Sequence, residues 1–100
     1  MAKEEIGTVF VDAGIVMVGD PCYTLPDDGS TRTETARDWL KFVDATFATE
    51  GPKGVYKPLG DGIAVVVESG YGDGEYPVFV RRNDEGRVIA VEVLFDDVDD

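Results

Sequence analysis

A chain of 100 residues, 43% hydrophobic and 10% aromatic, can build one core without disulfide or metal staples, and its composition is that of a folded domain. Nine basic and 21 acidic residues leave a net charge of −12, which argues against direct nucleic-acid binding or attachment to an anionic membrane and favours basic partners. The longest apolar run, I-A-V-V-V at 63–67, is far too short to cross a bilayer.

The remaining bulk features predict a cytoplasmic protein. The opening M-A-K-E-E-I lacks the basic-then-apolar pattern of a secretory leader. The lone Cys22 allows no intrachain disulfide, which fits a reducing compartment. Each half of the chain carries −6 (4 basic against 10 acidic, then 5 against 11), so the acidity is spread over the domain. An acidic tail, D-D-V-D-D, closes it at 96–100.

Taken in order, I-G-T-V-F-V at 6–11 reads as a strand, D-A-G at 12–14 as a turn, and I-V-M-V at 15–18 as the returning arm of a hairpin. G-D-P-C-Y follows at 19–23, where Pro21 has no N–H to donate to a ladder. After a polar loop, Thr31 and Glu34 fit a capping box, and Ala36, Trp39, Leu40, Val43 and Phe47 recur at helical spacing. This predicts an amphipathic helix over 32–48, stopped by Gly51-Pro52 and packed through that stripe.

Beyond the helix, G-V-Y-K-P-L at 54–59 reads as a short edge strand and G-D-G at 60–62 as a hairpin turn. The strand I-A-V-V-V-E at 63–68, apolar on both sides, should be central. S-G-Y-G-D-G-E-Y-P at 69–77 reads as a chain reversal, then Y-P-V-F-V-R-R at 76–82, an N-D-E-G turn and R-V-I-A-V-E-V-L-F at 87–95 complete the pattern. Strands joined by such short turns are antiparallel. The expectation is an α+β fold: a single domain over 1–100, with a twisted antiparallel sheet of five to six strands and one helix on a face. A sheet face left uncovered by one helix would be closed by a homo-oligomer.

Two stretches fit G-D-x-x-Y, at 19–23 and 72–76, and chance plus turn chemistry explains them better than duplication. Asp20 and Asp73, with Asp12, Asp61 or Glu75, are the oxygen donors a divalent ion would take, yet no segment has calcium-loop spacing. The glycine-rich loop lacks the lysine and following helix of a phosphate loop, and Asp73 and Glu75 would repel an anion. A nucleotide-like ligand would instead stack on Tyr23, Tyr71 or Tyr76 and meet Arg81 or Arg82.

The absence of histidine removes the usual general base and leaves Cys22 without a partner for thiolate chemistry. A carboxylate-dependent hydrolase would need Asp20 and Asp73 in contrasted environments.

V-D-A-G-I-V-M-V-G-D-P-C-Y at 11–23 and S-G-Y-G-D-G-E-Y-P-V at 69–78 together resemble a family of small uncharacterised domains of bacteria and their phages. The resemblance covers most of the β portion, leaves 25–53 without a family signature, and transfers no catalytic role. It implies a bacterial or phage source, and so a host cytoplasm if the chain is phage-encoded. It draws attention to Asp20, Cys22, Tyr23, Tyr71, Asp73 and Tyr76 as a group; Glu75 and Arg81 complete the candidate ligand-binding set. The reading is a non-enzymatic binding domain without a cofactor, engaging a basic host protein or sequestering a small ligand; the alternative is a hydrolase or divalent-metal domain using Asp20 and Asp73.

Overall fold

A computed structural model describes residues 2–24 and 38–96. The element order is β1 (Lys3–Val11), β2 (Ile15–Gly19), α1 (Pro21–Thr24), α2 (Trp39–Ala48), β3 (Val55–Tyr56), β4 (Ala64–Glu68), β5 (Gly74–Arg82) and β6 (Val88–Val93). The strands do not form a single sheet. They make two three-stranded antiparallel sheets, ordered β1-β5-β6 and β2-β4-β3. These belong to two units, one formed by residues 1–14 and 69–100, the other by residues 15–68.

The first hairpin read from the sequence is absent. β1 pairs with β5 and β2 with β4, so the chain leaves one sheet at Asp12–Gly14 instead of folding back on itself. A local turn signal competes here with eight paired positions between β1 and β5, and the longer ladder wins. The hairpins across G-D-G and N-D-E-G form as read, whereas 69–77, expected to reverse the chain between paired strands, leads from β4 in one sheet to β5 in the other. β3 and β4 pair across the G-D-G turn, with β4 central and β3 a short edge strand.

At the β5–β6 turn, Asn83 Oδ1 accepts from the Glu85 and Arg87 amides, both at 3.0 Å, while Gly86 takes a φ of 83° that other residues resist.

In the discontinuous unit, period-two alternation sorts side chains by face. Val9 lies opposite Tyr76, Val78 opposite Val93 and Val80 opposite Val91, and Val11, Tyr76 and Val80 are buried. On the other face, Lys3 Nζ sits 3.4 Å from Glu92 Oε1 and 4.5 Å from the Phe79 ring centre, and Arg81 reaches the same carboxylate at 4.0 Å. Arg81, a candidate for phosphate contact, is thus part of a cross-strand ion cluster.

In the contiguous unit, Val66 on the central strand is fully buried, and its cross-strand neighbour Tyr56 is nearly so. The Tyr56 hydroxyl donates to Glu68 Oε1 at 2.6 Å. That hydrogen bond, then burial, then the charge of Glu50 push the Tyr56 pKa up to about 12.

The predicted helix is present over its second half. Asp38 caps it, its Oδ1 accepting from the Leu40 and Lys41 amides at 3.0 and 3.3 Å. The Thr31–Glu34 capping box lies outside the described residues. Thr46 is the buried residue of α2, and its hydroxyl donates back to the Phe42 carbonyl. Trp39, Leu40 and Phe47 of the expected packing stripe are exposed, Leu40 and Phe47 by 73% and 74%. The apolar spacing therefore identified the helix and not its seating.

Val66→Ala should cost about 2 kcal/mol in urea denaturation, whereas Phe10→Ala, at a site 77% exposed, should stay within about 0.5 kcal/mol. Tyr56 should ionise near pH 12 in an absorbance titration, above the ordinary tyrosine value of 10.0. Because its folded pKa is the higher one, the stabilisation is complete below about pH 10 and is lost as pH climbs through about 12. Tyr56→Phe should remove both the late transition and that alkaline loss.

Candidate functional site

Ser69 opens the glycine-rich loop and is completely buried. Its amide donates to the Gly14 carbonyl at 3.0 Å, and its hydroxyl lies within reach of the carbonyls of Gly14 and Gly72 with one proton to give. The Tyr71 amide donates to the Ser69 carbonyl at 2.8 Å, closing a γ-turn around Gly70 at φ 79°. Gly72 also takes a left-handed φ, of 85°.

Gly74 serves a different need. A Cβ there would stand 3.3 Å from the Tyr76 hydroxyl and 3.4 Å from its Cζ, so a side chain would crowd the ring by a few tenths of an ångström. The Tyr76 hydroxyl then reaches back to donate to the Gly72 carbonyl at 2.8 Å. The alternate glycines therefore provide two backbone bends and one ring seat.

This loop borders an open depression at the start of β5 and the end of β6. Glu75, Tyr76, Pro77, Leu94, Phe95 and Asp96 line a volume of about 260 Å³. The Leu94 amide donates to the Pro77 carbonyl, continuing the β5–β6 alignment past Val93. Tyr76 meets Phe95 edge to face, with ring centres 5.2 Å apart and planes at 83°. Tyr71 is 73% exposed, and its hydroxyl donates to Asp96 Oδ2 at 3.2 Å. That bond, and the Asp96 charge, raise the Tyr71 pKa.

The structure thus gathers Tyr71, Glu75 and Tyr76, and adds Leu94, Phe95 and Asp96, which sequence reasoning had assigned to a strand and a tail. Asp73 lies in the same loop, its Oδ1 4.0 Å from the position a Gly14 Cβ would take. Arg81 is held in the Glu92 cluster further along β5. Asp20, Cys22 and Tyr23 belong to the other unit.

There, G-D-P-C-Y forms a helix start. Asp20 Oδ1 accepts from the Cys22 amide at 2.8 Å, its carbonyl accepts from the Tyr23 amide at 2.9 Å, and Pro21 takes the first helical position, where a missing N–H costs nothing. The second G-D-x-x-Y stretch runs into a strand instead, so the two copies adopt different backbones. Cys22 is an exposed thiol outside any disulfide. Among the described residues, no group of three or more His, Cys, Asp or Glu side chains gathers to hold a metal ion. No described helix is long and apolar enough to cross a membrane.

The described elements define a mixed α/β protein whose depression is lined by aromatic, acidic and apolar residues. A family model described as "Protein of unknown function (DUF4241)" matches residues 1–93, and the chain belongs to that family. No curated protein and no solved structure matches it.

Gly74→Ala should press its methyl against the Tyr76 ring and melt at a lower temperature than Gly7→Ala. Gly7→Ala, with open space around the new methyl and an ordinary backbone, should be neutral or mildly stabilising. Thermal denaturation of the two variants checks the contrast.

Proposed function

We propose that the chain is a non-enzymatic binding domain that engages a basic protein through the acidic, aromatic end of its discontinuous unit. The observation that carries this reading is the depression itself: Glu75 and Asp96 share its lining with Tyr76 and Phe95, and exposed Tyr71 stands beside Asp96. Aromatic groups beside charged ones are what protein interfaces use as anchors. The overall charge of −12 would steer a basic partner toward such a surface.

A nucleotide-like ligand is less well supported, because both carboxylates oppose its phosphates and Arg81 is held by Glu92. The hydrolase reading also loses support at Asp20, whose carboxylate accepts a backbone amide at a helix start. An intracellular partner, met in the host cytoplasm if the chain is phage-encoded, fits a lone exposed thiol outside any disulfide.

The test is capture from bacterial lysate on the immobilised domain, followed by purification of the retained protein and titration of the pair. A basic protein should bind with defined stoichiometry and weaken more than tenfold between about 0.05 M and 0.5 M salt. Tyr71→Ala should weaken the complex by about 2 kcal/mol. Retention of no basic protein, or an affinity indifferent to salt, would remove the reading.

A further inference from the structure

We infer that the depression between the start of β5 and the end of β6 receives one arginine side chain of the basic partner. The inference rests on the binding reading above and assigns its anchor. A guanidinium is planar, stacks on aromatic faces and donates in parallel to carboxylates, while its aliphatic stem prefers apolar walls. The lining matches each part: Glu75 and Asp96 supply acceptors, Pro77 and Leu94 supply apolar surface, and the exposed Tyr71 ring stands beside Asp96.

Size points the same way. At about 260 Å³ the depression falls below the roughly 300–1,000 Å³ of sites that enclose drug-sized ligands, so a side chain suits it better than a nucleotide. One of its carboxylates, that of Asp96, is also held in place. The Tyr71 hydroxyl bonds Asp96 from outside the lining, and Glu75 sits on the ladder opposite Phe10. From Asp96 the chain runs on into Asp97, Asp99 and Asp100, adding negative charge in sequence next to the site. Lysine shares the charge but lacks the flat face and the fork of donors, so arginine is the better occupant.

The experiment follows backbone amide shifts of the full chain during titration with acetyl-Gly-Arg-Gly-amide, and with its lysine and citrulline counterparts. The arginine peptide should give saturable shifts concentrated in residues 71–77 and 94–96. Citrulline, isosteric and uncharged, should bind at least roughly tenfold more weakly, with lysine between them. The double variant Glu75→Gln/Asp96→Asn should lose the response. Tyr71→Leu, which keeps both carboxylates, should weaken it independently if the double variant fails to fold.

A control of equal charge change at the β5–β6 turn, Asp84→Asn/Glu85→Gln, should leave it intact. Shifts scattered over the surface, equal binding of citrulline, equal weakening in the control, or no response to the arginine peptide would each overturn the assignment. A purified basic partner that still binds the double variant would remove this anchor while leaving the broader binding reading in place.

Discussion

The buried Ser69 is the fixed point from which the candidate site is built. A polar side chain withdrawn from water must find partners inside the protein, and Ser69 finds them in the backbone carbonyls of Gly14 and Gly72. With its amide also committed to Gly14, the residue ties the end of the first strand's exit to the start of the glycine-rich loop. The γ-turn at Gly70, the bend at Gly72 and the Tyr76 hydroxyl on the Gly72 carbonyl all follow within a few residues. Tyr76 in turn sets the wall against which Phe95 lies. The aromatic lining is thus the far end of a chain of contacts that begins with a hidden hydroxyl.

The contrast between the two tyrosines of the loop shows how backbone geometry separates structure from surface. Tyr76 is buried because Gly74 leaves room for its ring and Gly72 offers its carbonyl. Tyr71, five residues earlier, follows the tightest bend of the loop and is left facing solvent, with only its hydroxyl engaged by Asp96. One ring completes a wall, and the other offers contact area at the rim.

Local patterns in the sequence reported local structure well. Alternation and turn residues located all six described strands, and the pairings across G-D-G and N-D-E-G are those observed. The spacing of Trp39, Leu40, Val43 and Phe47 marked a true helix. What stayed hidden was non-local. D-A-G at 12–14 carries every mark of a hairpin, and nothing near it says that β1 will prefer a partner more than sixty residues away. The same limit hid Phe95 and Asp96, whose importance lies in what β5 brings beside them. Asp20-Pro21 was different: an acid before a proline is a legible helix start, passed over because proline also ends strands.

The division of the chain has a consequence for its synthesis. Residues 15–68 form a contiguous unit inserted between the two pieces of the other, so all three strands of its sheet are translated before β5. β1 emerges first yet must wait for β5, its strand partner, to be translated. During that interval its exposed backbone edge and the side chains of Val9 and Phe10 are unprotected, and the acidic pair Glu4–Glu5 at its start supplies the charge that discourages nascent chains from associating there.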